Sequence, residues 1–195
     1  MKVIQLICCV MAGLIGGTGC QTPPPEALNP MRFVAIGDIP LQTPEKESDR
    51  RQLGLSEEHQ GDPFRLRQLN CPILVIEVFD MYCHICQASA ENLNTLHKQL
   101  QNPPFNVQVC MMGIGRENTM LEVETFRRNL EVSFPLLPDP ASLFAQAIPV
   151  VHTPHVMLLR RDQQAYQIIH QKTGYFSKED TAYFLALIRS SERSP

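Results

Sequence analysis

The sequence predicts an α/β sandwich with a mixed central sheet. A nearly continuous apolar run at 72–79 is typical of a buried strand, and a helical stripe of leucines follows it directly. Near the C-terminus, two apolar segments flank a polar turn, which indicates an antiparallel hairpin, and an amphipathic segment closes the chain. A parallel β–α–β unit followed by a hairpin and a closing helix gives a layered sandwich.

Size and composition limit the classes of protein that fit. The chain has 195 residues, enough for one domain plus an export segment and a tail, and 44% of them are hydrophobic, so an ordinary core can form. The formal net charge is −3 and no basic stripe is present, which disfavours nucleic acid as a partner. We expect a signal segment at 1–20, a linker at 21–31, one domain at 32–191 and a tail at 192–195.

The first twenty residues predict export. Lys2 gives a positive start, an apolar run covers 3–15, and small residues at 16–19 precede Cys20. The run is too short for an ordinary transmembrane helix. The segment resembles a bacterial lipoprotein signal, in which this cysteine is acylated, although Gly17 stands where such signals prefer Leu. The resemblance implies a domain in the cell envelope, outside the cytoplasm and lipid-anchored to a membrane; the alternative is a conventional cleaved signal that leaves Cys20 unmodified.

The segments before the buried strand are less regular. Residues 32–41 predict a first extended element, which Gly37 and Pro40 interrupt. Residues 42–62 are rich in charged and polar side chains, and we expect a solvated surface loop that can include one helical turn.

Hydrophobic periodicity predicts the main elements. Residues 72–79 predict a strand buried on both faces, and a helix should run from about Cys83 to Leu100 because its leucines form one stripe. The later predicted elements are a strand at 105–114, a helix at 117–131, a short extended piece at 134–137, a short helix at 140–147, hairpin strands at 156–159 and 166–171 around a polar turn at 160–164, and a last helix that starts with a capping box at 177–180 and turns Leu185 and Ile188 inward.

The sequence Cys83-His84-Ile85-Cys86 lies between the predicted buried strand and the helix that follows. Free backbone N–H groups and the helix dipole would stabilise a thiolate at Cys83, and the thiolate is the attacking species. Cys86 would lie one turn inside the helix, where it can resolve a mixed disulfide. A CxxC beside a β–α–β pattern predicts redox chemistry. A protonated His84 would stabilise the Cys83 thiolate; the alternative is an exposed polar residue.

Two other cysteines belong to the predicted domain. Cys71 and Cys110 are most simply small hydrophobic core residues. Cys110 lies in an apolar strand, whereas Cys71 lies in a loop and could be exposed. Their spacing does not establish a second disulfide.

Three stretches of sequence resemble the thioredoxin superfamily, and more closely its exported TlpA/ResA-like thiol–disulfide oxidoreductases. They are 74–86, which ends in the CxxC, the Phe-Pro-Leu-Leu-Pro-Asp stretch at 134–139, and 151–159 around Thr153-Pro154. The resemblance covers roughly 32–190 and implies a thioredoxin-like three-layer α/β/α sandwich. The charged insertion at 42–62 and the His-Ile dipeptide depart from the pattern of these proteins.

The resemblance also implies roles for individual residues. The Thr153–Pro154 bond should be cis, in a loop that packs on the CxxC and presents the Thr153 backbone to a substrate strand. Glu77 should be a buried acid that helps Cys86 lose its proton; the alternative is an acid that points to solvent at a strand end. Tyr82 replaces the aromatic residue common in this motif and should help to shape the substrate groove.

These features together predict a thiol–disulfide oxidoreductase. It would exchange electrons through Cys83 and Cys86 with protein thiols or disulfides outside the cytoplasm, and it would need no cofactor. An electron donor or acceptor must exist, and the sequence does not identify it.

The alternative function is Cu(I) binding by the same cysteines, with His84, His152 or His155 as a further ligand. Copper-delivering proteins that resemble this fold usually have three residues between their cysteines, and this chain has two. Haem attachment of the usual kind is excluded because Gln87 follows the second cysteine. The Pro and Thr that precede the reactive cysteine of peroxiredoxins are also missing, which disfavours peroxidase activity.

Overall fold

The computed structural model describes residues 39–55, 61–102, 105–148, 152–163 and 165–191. Its strands are β1 (Ile73–Phe79), β2 (Val109–Arg116), β3 (Leu136–Asp139), β4 (His155–Asp162) and β5 (Ala165–Thr173). Its α-helices are α1 (Glu47–Gln52), α2 (His84–Gln101), α3 (Met120–Asn129), α4 (Leu143–Ala147) and α5 (Lys178–Ser191), and Leu66–Gln68 form a 3₁₀ turn. The predicted signal segment, linker and tail lie outside the described residues.

The five strands form one mixed sheet in the order β3–β2–β1–β4–β5. The β1–β2 and β2–β3 pairs are parallel, while β1–β4 and β4–β5 are antiparallel. Every residue of β1 is buried, as expected for the central strand of a sheet that is covered on both faces. The predicted β–α–β unit, hairpin and closing helix are therefore confirmed.

Two hydrophobic clusters cover the two faces of the sheet. On one face, the side chains of Val75 and Phe79 pack with those of α2, α3 and α5. On the other face, Leu74 and Ile76 pack with α4 and with the segment that precedes β1. The predicted three-layer α/β/α arrangement is confirmed.

The predicted solvated loop at 42–62 is wrong at 42–55, which packs on the sheet. It contains α1, and Leu53 is fully buried in the second cluster beside Phe64. The charged side chains have partners: the Arg127 guanidinium lies 2.8 Å from the Asp49 carboxylate, and Arg50 donates to the Pro44 carbonyl at 2.9 Å. Of the predicted extended element at 32–41, the described residues include only an isolated bridge between Leu41 and Phe64.

Cys71 and Cys110 form a disulfide, which corrects the expectation of two separate core thiols. Their Cα atoms are 5.9 Å apart, and both residues are buried, so Cys71 is not exposed. The bond joins the residue two positions before β1 to the second residue of β2. Since β1 and β2 are parallel and the CxxC follows β1, the disulfide lies at the opposite end of the sheet from the CxxC.

Several predicted boundaries move by a few residues. Helix α3 starts at Met120 because Thr119 caps it in a reciprocal pair with Glu122, so the predicted start at 117 is too early. Strand β2 starts at Val109 rather than at 105, and β4 continues through Asp162 into the predicted polar turn. The capping box before α5 and the inward positions of Leu185 and Ile188 are confirmed. No helix among the described residues is long and apolar enough to cross a membrane.

Candidate redox site

The CxxC lies at the carboxyl end of β1, where the chain turns into α2. Cys83 is the N-cap residue of α2, and its Sγ accepts a hydrogen bond from the Cys86 backbone N–H at 3.2 Å. The backbone N–H of Cys83 donates to the Asp80 carbonyl at 3.0 Å, which closes the turn. Cys83 is partly exposed, Cys86 is buried, and both are free thiols. A thiol at an N-cap faces unsatisfied helix N–H groups, which favour its anion.

The two thiols differ in acidity. Burial alone would raise the pKa of Cys83, but hydrogen bonds from Cys86 and Thr153 outweigh it, and the backbone N–H groups of Cys86 and Ile85 add to them. The pKa of Cys83 is therefore lowered. Burial raises the pKa of Cys86 strongly, and its hydrogen bond to the Cys83 sulfur raises it further. Cys83 is thus the thiol that ionises first and the one that solvent reaches.

The loop before β4 covers the cysteine pair. The Thr153–Pro154 peptide bond is cis, as predicted. The Cys83 thiol donates to the Thr153 carbonyl, with 3.4 Å between sulfur and oxygen. The same loop is also bonded to the residue after β5, because the Pro154 carbonyl accepts a hydrogen bond from the Gly174 N–H at 2.9 Å. The loop therefore places a backbone carbonyl against the reactive sulfur.

Glu77 lies inside the sheet and does not point to solvent. Only 1% of its surface is exposed, and its Oε1 atom has no hydrogen-bond partner among the described residues. Burial raises the pKa of its carboxyl group to about 8, with a further contribution from the charge of Cys83. The group also raises the pKa of Cys86. A carboxyl group in this condition is protonated at neutral pH and can take up or release a proton near pH 8.

Tyr82 and His84 are exposed on either side of Cys83 in the sequence. Tyr82 is 66% exposed, and its hydroxyl donates to Glu122 Oε1 at 2.8 Å, which holds the ring beside the site. The hydrogen bond to Glu122 raises the pKa of the Tyr82 hydroxyl. The His84 side chain is exposed and makes no hydrogen bond or ion pair with the described residues.

The two histidines around Pro154 differ in position. His152 is exposed, whereas His155 is buried and bonded through Nδ1 to the Thr173 hydroxyl at 2.7 Å. His155 pairs with Val78 across the sheet, one position from Glu77, so its side chain lies on the opposite face from Glu77. His155 therefore does not approach the cysteine pair from the Glu77 side. Burial lowers its pKa, and Gln171 partly opposes that shift.

Asn118 and Asp80 belong to the site, and the sequence did not predict either as a site residue. Asn118 is buried after β2, its Oδ1 accepts the Met81 N–H at 2.9 Å, and its Nδ2 donates to the Asp80 carboxylate at 3.3 Å. The available signal was topological: the CxxC follows β1 and Asn118 follows β2, and parallel neighbouring strands end at the same edge of a sheet. No residue type or spacing in the sequence pairs these positions.

Among the residues that the structure describes, no group of three or more Cys, His, Asp or Glu side chains is arranged to hold a metal ion. The reactive groups that the geometry brings together are the two thiols, the buried carboxyl group of Glu77 and the Thr153 carbonyl. This set can perform thiol–disulfide exchange, in which an acidic exposed thiol attacks and a buried thiol resolves.

Neither a protein-family model nor a curated protein matches the sequence. Solved structures do match. The secreted Mycobacterium tuberculosis disulfide oxidoreductase homologous to E. coli DsbE is 19% identical with a TM-score of 0.53, over 65% of this chain and 90% of that one. The thioredoxin-family thiol:disulfide interchange protein of Chlorobium tepidum is 15% identical with a TM-score of 0.51, over 66% and 87%.

A third similar structure comes from a peroxide-reducing protein. The Xanthomonas campestris bacterioferritin comigratory protein, described with alkyl peroxide reduction activity, is 16% identical with a TM-score of 0.58, over 82% of this chain and 96% of that one. At such identities the likeness concerns the fold. The order of elements, the mixed sheet and these three structures together show that the chain has the thioredoxin-like α/β fold.

Proposed function

We propose that the protein is a thiol–disulfide oxidoreductase that acts through Cys83 and Cys86 on protein thiols or disulfides. The observation that carries the proposal is the pairing of two unlike thiols one helical turn apart. Cys83 is partly exposed and has a lowered pKa, whereas Cys86 is buried and has a raised one. An exchange catalyst needs this difference, because the attacking thiol must be ionised while the resolving thiol stays protonated until the mixed disulfide has formed.

In the first step, the Cys83 thiolate attacks one sulfur of a substrate disulfide. The substrate S–S bond breaks, a mixed disulfide forms between Cys83 and that sulfur, and the other substrate sulfur leaves as a thiolate that takes a proton from water. The Cys86 N–H, 3.2 Å from the Cys83 sulfur, stabilises the attacking anion before the step.

In the second step, Cys86 loses its proton and attacks the Cys83 sulfur. The mixed disulfide breaks as the Cys83–Cys86 disulfide forms, and the second substrate sulfur leaves as a thiolate that takes a proton from water, so two electrons have passed from the protein to the substrate. We propose that Glu77 accepts the Cys86 proton in its ionised form, whose population grows as pH rises toward 8, because the group is buried and interacts electrostatically with this thiol. The same steps in reverse oxidise a substrate dithiol.

Substrate binding would use the surface around Cys83. The Thr153 carbonyl, which meets the Cys83 thiol, is placed to accept an N–H from an extended substrate segment. The exposed ring of Tyr82, held by Glu122, would form one wall of the groove, with His84 at its opening. The electron partner would be a second dithiol or disulfide protein that uses the same surface in turn.

We also propose that the protein works outside the cytoplasm on a lipid anchor. The segment at 1–20 supports export, and the small residues before Cys20 support acylation of that cysteine. The buried Cys71–Cys110 disulfide adds support, because structural disulfides persist in oxidising compartments. The similar Mycobacterium tuberculosis oxidoreductase is described as secreted. Mass analysis of the mature N-terminus tests this: a diacyl mass on Cys20 supports the anchor, and an unmodified terminus rejects it.

Copper binding is the less favoured function. It would rest on the two thiols, since the described part of the chain gathers no third Cys, His or carboxylate side chain with them to form a metal site. The unlike acidities of Cys83 and Cys86 are the property that exchange requires, whereas a pair of metal thiolates would both be deprotonated.

Single-cysteine variants test the exchange mechanism. Turnover of a model protein disulfide with dithiothreitol as donor should be lost in both Cys83→Ser and Cys86→Ser. Cys86→Ser should accumulate a covalent adduct with the mass of the protein plus the substrate, while Cys83→Ser should not. The double variant Cys71→Ala/Cys110→Ala is the matched control and should keep turnover. Full turnover in either single variant would reject the mechanism.

A further inference from the structure

The turn that presents Cys83 is held by a network of hydrogen bonds. Three successive backbone N–H groups are occupied: Met81 donates to Asn118 Oδ1 at 2.9 Å, Tyr82 to Asp80 Oδ1 at 3.0 Å, and Cys83 to the Asp80 carbonyl at 3.0 Å. Asn118 Nδ2 donates to the same Asp80 oxygen at 3.3 Å. One buried amide and one carboxylate thus fix the whole turn, and we call these two residues the Asn118–Asp80 clamp.

Asn118 is itself tightly placed. It is 1% exposed, and its backbone N–H donates to the Gly115 carbonyl at 3.1 Å. A Cβ atom at Gly115, near the end of β2, would lie 3.0 Å from the Asn118 Cβ, so a glycine at this position of the strand makes room for Asn118. Glu117 adopts a left-handed backbone conformation with φ of 59°, which non-glycine residues rarely do. Strained backbone of this kind is often retained where it positions a functional group.

The clamp decides which N–H groups face the reactive sulfur. Because the N–H groups of the turn are occupied, those free to face Cys83 Sγ belong to the first turn of α2. The Cys86 N–H lies 3.2 Å from the sulfur, and the Ile85 N–H also stabilises the thiolate. A shift of the turn by a few tenths of an ångström would weaken each of these contacts.

We propose that Asn118 and Asp80 are positioning residues of the redox site, which hold Cys83 at the helix N-terminus and so maintain its reactivity as a thiolate. Their side chains act through the backbone of 81–83 and are not bonded to the Cys83 sulfur. The assignment rests on the proposed function, because positioning matters only if Cys83 is the attacking group. It concerns a polar network between the carboxyl ends of β1 and β2, separate from the Tyr82–Glu122 contact.

The pH dependence of Cys83 alkylation in the reduced full chain tests the proposal. In Asn118→Ala, the midpoint of the rate profile should shift upward by about half a pH unit or more, since hydrogen bonds to the thiolate are weakened. At pH values below the midpoint, where the rate follows the thiolate fraction, the rate should then fall about threefold. Asp80→Ala should give a shift in the same direction, and Asp80→Asn, which keeps the Oδ1 acceptor, should lie closer to the parent.

Asn94→Ala is the matched control. Asn94 also uses Oδ1 to accept a backbone N–H, that of Ser133 at 2.9 Å, and Nδ2 to donate to the Leu130 carbonyl at 3.2 Å, but away from the cysteines. It should lower stability without moving the profile. If both Asn118→Ala and Asp80→Ala show the same pH profile as the parent, the proposal is overturned. If Asn118→Ala does not fold, the comparison of Asp80→Ala with Asp80→Asn decides the proposal.

The two failures are distinguishable. If the parent forms no Cys83–Cys86 disulfide, the proposed function is lost, whereas the alkylation profile still reports on positioning.

Discussion

Glu77 and Gly113 face each other across the parallel pairing of β1 with β2. The position beside the buried carboxyl group thus carries no charged side chain. A Cβ at Gly113 would lie 2.5 Å from Leu136 Cδ2 and 3.3 Å from Phe79 Cε1, so apolar groups already fill that space. This environment explains why burial is the main cause of the raised pKa of Glu77.

The first prediction concerns stability against pH. The pKa of Glu77 is about 8 in the folded protein and 4.5 for the ordinary group, so the folded state holds a proton that the unfolded state has lost between those values. Stability should therefore fall as pH rises from about 5 to about 8, by roughly 4 kcal/mol from this group. In Glu77→Gln this fall should be absent. Urea unfolding of parent and variant at several pH values, with the thiols kept reduced, measures the difference.

The Glu77 effect is the difference in unfolding free energy between parent and variant, because other groups also titrate in this pH range. Burial lowers the pKa of His97 from 6.5 to about 4, so its contribution to stability rises with pH in that interval and opposes the Glu77 effect. Both proteins share this contribution, and subtraction removes it. Equal slopes in parent and variant from pH 5 to 8 would show that Glu77 is ionised in the folded state.

The second prediction concerns the rate of the resolving step. In the parent, release of a small thiol from a mixed disulfide on Cys83 should accelerate as pH rises through about 8, because the Glu77 carboxylate becomes available as a base. Glu77→Gln should resolve about a hundredfold more slowly and lose this inflection. Glu91→Gln, an exposed acid on α2, is the control. A variant that keeps both rate and inflection would remove Glu77 from the mechanism.

The third prediction concerns the buried disulfide. Cys71 and Cys110 are 39 residues apart, and closing a loop of that length in the unfolded chain corresponds to about 4 kcal/mol. Cys71→Ala/Cys110→Ala should lose about that much free energy of unfolding in denaturant titrations. Alkylation of Cys83 should be unaffected, because the disulfide is at the other end of the sheet. A loss below about 1 kcal/mol would indicate that the bond adds little to the fold.

The fourth prediction concerns the contact between α1 and α3. The Asp49 and Arg127 side chains are only 8% and 12% exposed, and their charged groups lie 2.8 Å apart. Arg127→Met leaves a buried carboxylate without its partner and should cost about 3–5 kcal/mol of unfolding free energy. The exposed Arg51–Glu47 pair is the matched control, and Arg51→Met should change stability by less than about 0.5 kcal/mol. Similar losses in both variants would mean that Asp49 and Arg127 do not act as a buried pair.

Local patterns were sufficient for the centre of the fold. The run at 72–79 predicts a central strand because its apolar residues are contiguous in the sequence. A local pattern of this kind indicates both burial and extended backbone. The placement of Cys83 at a helix N-terminus follows from that strand and the leucine stripe after it. The cis Thr153–Pro154 bond and the buried position of Glu77 came from the resemblance of the surrounding motifs, and the structure has both.

Long-range pairing was not predictable from the same patterns. The charges at 42–55 indicate a solvated loop when they are counted alone, but Asp49 finds its partner in Arg127, 78 residues away. Cys71 and Cys110 meet because β1 and β2 are parallel neighbours, which spacing does not reveal. Residues so far apart in the chain never fall within one short stretch of sequence, so local patterns cannot predict their contact.

The Asn118–Asp80 clamp was missed for a related reason. Asn118 follows a strand in a polar turn, and its sequence context is typical of ordinary helix starts, with the capping Thr119 next to it. Only the order of strands in the sheet brings it to the CxxC turn.

The reduction potential of the Cys83–Cys86 couple tests the central claim most directly. The protein is equilibrated in glutathione or dithiothreitol buffers of graded potential, the free thiols are trapped by alkylation, and mass analysis locates the disulfides. We predict a single two-electron transition in which Cys83 and Cys86 form the new disulfide, at a potential between about −270 and −120 mV. If both cysteines stay alkylatable at every potential, the site is not a redox couple and the proposed function is contradicted.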